Sequence, residues 1–168
     1  MTCLNCKKEI VPNSGFRESK ILIVRNMPHE TEYASHKSGR FRSPTTPLSI
    51  LRDEFFILGV DFVRIRKANL WQHKSNKSDF CFGHGKDALL EEAKGKQAIL
   101  LCGANVVEYF TDYPVSTVSG LQVESNQLSA PIIYASVDPS TAMSKMGVGE
   151  IRFSVQNFVK KLIEEDIL

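Results

Sequence analysis

The residues able to do chemistry fall in a few short stretches of the chain. Cys3-x-x-Cys6 sets two thiols at the spacing of metal-binding and redox motifs. A thioredoxin-like pair needs a strand before it and a helix opening at its second cysteine. Neither is present, so metal binding is the expected use. Asn26-Met27-Pro28-His29 follows a short apolar run, a setting in which asparagine near proline commonly closes an Asx-turn. His29 and His36 carry imidazoles suited to touching phosphate or moving a proton near neutral pH. Asp138-Pro139-Ser140-Thr141 makes a good helix start. Basic side chains crowd the first half (Lys37, Arg40, Arg42, Arg52, Arg64, Arg66, Lys67, Lys74, Lys77), whereas acids gather at Glu91-Glu92 and Glu164-Glu165-Asp166. One side of the molecule is therefore expected to be basic, as contact with phosphates requires.

The framework that must position these groups is a single domain. The chain has 168 residues, 42% apolar and 24% charged, enough to bury a full core without covalent staples. A net charge of +2 excludes a histone-like polycation but leaves nucleic-acid binding open. No apolar run approaches the roughly 18 residues that cross a bilayer. The opening MTCLNCKKEI lacks the basic-then-apolar layout of a secretory signal. A cytoplasmic monomer is the expectation.

Lys20–Arg25 (KILIVR), Ala98–Cys102 (AILLC) and Ile132–Ser136 (IIYAS) read as short buried strands, and Phe62–Lys67 (FVRIRK) alternates like another. From Pro47 to Gly59, Leu48, Leu51, Phe55 and Leu58 recur at helical spacing behind Thr45-Thr46-Pro47. Lys86–Lys94 reads as a helix ending at Gly95 and Gly103–Phe110 as a short one. Ile151–Glu165 closes the chain as an amphipathic helix with Phe153, Phe158, Val159 and Leu162 inward. Cys102 ends a buried strand, where it acts as a small apolar side chain. The alternation predicts an α/β fold, a three-layer αβα sandwich around a mostly parallel sheet of four or five strands. Ligands in such folds sit beyond the carboxyl ends of the strands. The loops to watch are thus Arg25–Arg42, Lys67–His84, Gly103–Val106 and Val137–Gly147, which also hold the polar groups named above.

In order along nearly the whole chain, these segments resemble the uracil-DNA glycosylase superfamily, closest to its iron–sulfur-cluster branch. Cys3-x-x-Cys6 and VPNSGFRESKILIV are similar to that branch's cysteine pair, Val-Pro-Gly-x-Gly stretch and first strand. Arg25-Asn26-Met27-Pro28-His29 stands in the place of its Gly-Glu-Ala-Pro-Gly catalytic loop. Ser38-Gly39-Arg40-Phe41 resembles Gly-Arg-Pro-Phe, and Ala68-Asn69-Leu70 resembles Thr-Asn-Val. Ile99-Leu100-Leu101-Cys102-Gly103 is similar to the strand ending in Leu-Gly, and Val137-Asp138-Pro139-Ser140-Thr141-Ala142 to the His-Pro-Ser/Ala loop. The departures are specific: Asn26 replaces a glutamate, Arg25 and His29 replace glycines, and Asp138 replaces a histidine.

The resemblance implies a glycosylase that flips a nucleotide out of the stack and reads its exposed edge. Phe41 would stack on the base, Asn69 would bond its edge, and Met27 would line the pocket. Asn26 would orient a water toward the sugar, with His29 assisting. Asp138 would protonate a departing cytosine-type base, stabilise the cationic sugar or take a proton from water. An ionised aspartate would repel a departing uracil anion, so the expected substrate is a modified pyrimidine. A hydroxymethylcytosine-type phage base fits, in repair or in defence against foreign DNA. Arg40, Arg42, Lys74, Lys77 and Lys145 would meet DNA phosphates together with Ser140 and Thr141, while Met143 or Met146 would wedge into the vacated stack. The branch's ligand positions fall on Cys3, Cys6, His73 and Cys81, with His84 a substitute for His73. Three thiolates and an imidazole suit zinc, and a 4Fe–4S cluster is the alternative. A catalytically silent DNA-binding module of the same fold, a replication accessory or lesion sensor, is the competing reading.

Overall fold

The computed structural model describes residues 10–28, 46–71, 79–144 and 147–168. Four strands, β1 (Ile21–Arg25), β2 (Arg66–Asn69), β3 (Ala98–Cys102) and β4 (Ile132–Ser136), form one all-parallel sheet in the order β2-β1-β3-β4. Helices α1 (Pro47–Ile57), α2 (Asp79–Ala93), α3 (Ala104–Thr111), α4 (Val115–Val118) and α5 (Val148–Glu164) cover it, with a 3-10 turn at Pro139–Ser144. The expected three-layer sandwich is what forms.

Its two cores follow from strand alternation, since successive side chains point to opposite faces. Ile21, Ile23, Leu100, Cys102 and Ile132 pack against Leu51 and Phe55 of α1 and Ile151, Val155, Phe158 and Leu162 of α5. Leu22, Val24, Ile99, Leu101 and Ile133 pack against Leu89 of α2 and Val106, Val107 and Phe110 of α3. Because both faces are covered, β1 and β3 are buried at every position, which is why their sequences are unbroken apolar runs apart from Arg25. Thr46 caps α1 through a capping box with Ser49, ahead of Pro47 in the first turn. Arg152 of α5 grips Glu54 of α1 through two hydrogen bonds, 3.0 and 3.1 Å. On the other face, Arg66 of β2 holds Glu92 of α2 by two bonds of 2.7 Å each. That pairing keeps the Glu92 carboxyl below the usual carboxylate range.

Three expectations need correction. The strand read at Phe62–Lys67 lies later, at Arg66–Asn69, because Asp61–Ile65 is a turn: Arg64 and Ile65 N–H groups bond back to the Asp61 and Phe62 carbonyls. Its apolar Phe62 and Ile65 fill the core from that turn rather than from a pleat. The helix read at Lys86–Lys94 begins at Asp79, so Cys81 and His84 belong to α2 rather than to a loop. Phe153 does not face inward; it is 52% exposed and lies over Gly120, out of the row that buries Ile151, Val155, Phe158 and Leu162.

Candidate active site at the carboxyl edge of the sheet

The strand order changes direction between β1 and β3: from β1 the chain goes out to β2, then returns to the other side for β3 and β4. Such a switch point opens a crevice beyond the strand ends. The register puts Asn69, Arg25, Cys102 and Ser136 side by side as the last residues of β2, β1, β3 and β4. Equal register in a parallel sheet sends all four side chains to one face, the one lined by α1 and α5.

Backbone bonds then carry the β1–β2 ladder past the strands. Leu70 N–H donates to Arg25 O at 2.8 Å and Trp71 N–H to Asn26 O at 2.7 Å, tying the loop after β1 to the loop after β2. Gly85 lets α2 close on this point, since a Cβ there would fall 2.2 Å from Leu70 O. Asn26 and Asn69 are thus held one step out of register across one ladder. Both present an amide oxygen that is buried and has no hydrogen-bond partner among the described residues, and so does the Ser136 hydroxyl. Buried polar atoms are rarely left so.

Asp138 sits two residues beyond β4. Its Oδ1 accepts the Ser140 N–H at 2.8 Å, and its carbonyl accepts the N–H and hydroxyl of Thr141 at 2.9 and 2.7 Å. The local motif is therefore the helix start read from the sequence, here a 3-10 turn with Asp138 as its cap. Its second oxygen lies against Gly103, where a Cβ would approach it to 3.0 Å. Gly103 has φ +101° and heads α3, and its N–H donates to Ser136 O at 2.8 Å. A carboxylate in that place meets the positive end of the α3 dipole. Burial first, and Asp138 next, push the Cys102 thiol far above its ordinary range, with Arg25 opposing. A cation and an anion thus act on the same buried sulfur.

Of the residues expected from sequence to form the site, the fold brings Asn26, Met27, Asn69 and Asp138 to this edge, with Ser140 and Thr141 on its exposed rim. His29, Phe41, Arg40, Arg42, Lys74, Lys77 and Lys145 lie outside the described residues, as do Cys3, Cys6 and His73 of the expected metal set. Cys81 is in the first turn of α2. Among the described residues no group of three or more His, Cys, Asp or Glu could hold a metal, and no helix is long and apolar enough to cross a membrane. Sequence reading did not set Arg25 and Ser136 beside Asn69 and Cys102 at this edge. Both end apolar runs, and only the register of distant strands sets them beside Asn69. A separate groove of about 750 Å³ opens at the opposite, amino edge, between Leu58, Val60, Ile163 and Ile167, and contains none of the expected site residues. No protein-family model matches the chain, and no curated protein matches it.

Proposed function

We propose that the protein is a monofunctional DNA glycosylase that flips out and excises a modified or damaged pyrimidine, of the hydroxymethylcytosine type rather than plain uracil, leaving an abasic site. The observation that carries this reading is that Asn26, Asn69 and Asp138 all lie along the carboxyl edge of the sheet, with both asparagine amide oxygens buried and without a partner among the described residues. A flipped base is bound through its hydrogen-bonding edge by polar groups of this kind.

In the proposed reaction the C1′–N1 bond breaks with its electrons going to the base. Asn26 accepts a hydrogen bond from the attacking water and aims its oxygen at C1′. An amide suffices here, because a cationic sugar needs little proton abstraction from its nucleophile. Asp138 Oδ1 is fixed by Ser140, which leaves Oδ2 to face the sugar cation and take the water's proton. Asp138 then hands that proton to the departing base, so the sugar keeps the hydroxyl, the base leaves neutral and the carboxylate is regenerated, a step that matters for cytosine-type bases, which leave poorly as anions. Zinc on Cys3, Cys6, His73 and Cys81, or a 4Fe–4S cluster in its stead, is proposed to organise the segments around the site.

The competing reading, a catalytically silent DNA-binding module, gains from one observation: Asp138 already serves as a turn cap. Alkali-labile site formation separates the two on DNA carrying uracil, a thymine mismatch, cytosine, hydroxymethylcytosine or its glucosylated form. The glycosylase releases one member and leaves strands intact until alkali treatment. Asn26→Ala and Asp138→Ala should each lower the rate by on the order of 10²-fold or more. Unchanged rates in both variants would refute the assignment, and tight binding without product would favour the silent module.

A further inference from the structure

The amino edge of the sheet, opposite the candidate site, is shaped by two helix ends of one kind. α1 stops as Gly59 turns left-handed at φ +75°, with Gly59 N–H donating to Phe56 O at 2.9 Å and Val60 N–H to Phe55 O at 3.0 Å. α5 stops in the same way. Asp166 stands at φ +55°, its N–H donates to Ile163 O at 3.1 Å, and Ile167 N–H donates to Leu162 O at 2.9 Å. Such closures satisfy the last carbonyls of a helix and fold the next apolar residue back onto it. Val60 and Ile167 are those residues, and both pack on the core that α1 and α5 share. They line the groove of about 750 Å³ together with Leu58, Ile163 and Phe16.

This end of the molecule stays apolar out to solvent. Phe16 and Ile163 are 55% and 63% exposed, and Ile57 and Val63, each next in sequence to a lining residue, are both 66% exposed. With the half-buried Leu58 and Ile167 they leave roughly 500 Å² of apolar surface uncovered, so two copies meeting here bury roughly 1,000 Å² before any polar rim is counted, the size at which a specific interface begins. The charges around the groove decide which partner fits. Its charged side chains are Glu18, Lys20, Asp61 and Arg64, two of each sign, with Asp61 and Arg64 3.4 Å apart. A surface that meets its own copy across a two-fold axis repels itself if its side chains carry a net charge, and these carry none. A nucleic acid or a strongly charged peptide finds no field here to steer it.

We propose that this amino edge is a two-fold interface between copies of the chain, which makes the protein a reversible homodimer in place of the monomer expected from its sequence. Phe16 is its anchor, an aromatic side chain taken up by the groove of the other copy. The contact lies at the end of the sheet opposite Asn26, Asn69 and Asp138, so both copies keep that edge open. The proposal is therefore independent of what that edge does.

The test is the mass of the intact protein by sedimentation velocity over a dilution series on the order of 1–100 µM. Wild type should pass from one chain to two within that range, as an interface of this size gives. Ile163→Lys on α5 and Val63→Lys in the turn before β2 change exposed side chains, and each acts twice in a symmetric contact. Each should weaken association by roughly 30-fold or more. Tyr113→Lys, at a site 52% exposed just after α3, should associate like wild type. Circular dichroism establishes that each variant is folded; if one amino-edge variant is not, the other decides. A single chain at every wild-type concentration overturns the proposal, and an apolar dye whose binding Ile163→Lys abolishes would then assign the groove to a different ligand. Dimers that persist in the folded amino-edge variants, a dimer lost in Tyr113→Lys, or a mass that grows past two chains without limit overturn it as well.

Discussion

Lys67 of β2 shows how a single side chain can be fixed at a cost. Its ammonium donates to Phe62 O at 2.6 Å and sits 4.3 Å from the centre of the Phe62 ring, so the long stem folds over the turn that precedes the strand. Burial lowers its pKa to about 8, with Asp61 opposing the shift and Arg66 adding to it. The unfolded chain keeps this proton up to about 10.5, so between about pH 8 and 10.5 the unfolded state binds more protons than the folded one. Stability contributed by this group therefore rises with pH across that window. Lys67→Met removes the effect: urea denaturation at several pH values should show wild type gaining on the variant as pH climbs from 8 to 10.5. Parallel profiles would mean that the ammonium is not desolvated.

Elements transmit such local choices to the site. Gly103 begins α3 at φ +101°, a conformation that side chains other than glycine rarely adopt, and a methyl there would press on Asp138 Oδ2. Gly103→Ala should cost about 1–3 kcal/mol in stability. It should also depress excision further than the lost stability explains, because the carboxylate must move. Thermal melting beside the abasic-site assay checks both effects, and a variant with normal melting and normal activity would show that this contact is slack. The same elements explain what was legible in the sequence. β1, β3 and β4 could be read because strands buried on both faces are written as apolar runs. β2 was read four residues too early, because it lies at the sheet edge and spells Arg-Lys-Ala-Asn, while its apolar neighbours Phe62 and Ile65 belong to a turn. Asn26, Asn69 and Asp138 were picked out by the resemblance of their segments, and the fold sets them at or just beyond strand ends. Arg25 and Ser136 were not, since their place in that row depends on which strand lies beside which.

For the whole molecule, the proposed division is between an edge that reads a base and a surrounding surface that holds the backbone. If Arg40, Arg42, Lys74, Lys77 and Lys145 each neutralise one duplex phosphate, the logarithm of affinity should fall against the logarithm of salt with a slope of about −4.5. Removing one of them should make the slope shallower by about one while leaving base preference unchanged. A slope near zero, measured by fluorescence anisotropy, would exclude this mode of DNA binding.

The two margins of the sheet have a consequence of another kind. Ser14 exchanges backbone bonds with Lys67 along the outer side of β2, 3.0 and 2.8 Å, and the segment from Gly120 to Val123 bonds to Ala135 and Ile133 along the outer side of β4. A parallel sheet with bare flanks would offer each passing chain a template for continued pairing. Here the protein's own irregular segments occupy those flanks and stop the ladder from growing. Deleting the chain through Ser14 would strip one guard while leaving the cores of both faces in place. The expected symptom is concentration-dependent light scattering from a molecule whose circular dichroism is still native, a solubility failure rather than a folding one. The covering at Ser14 then amounts to insurance against self-assembly, held in two hydrogen bonds.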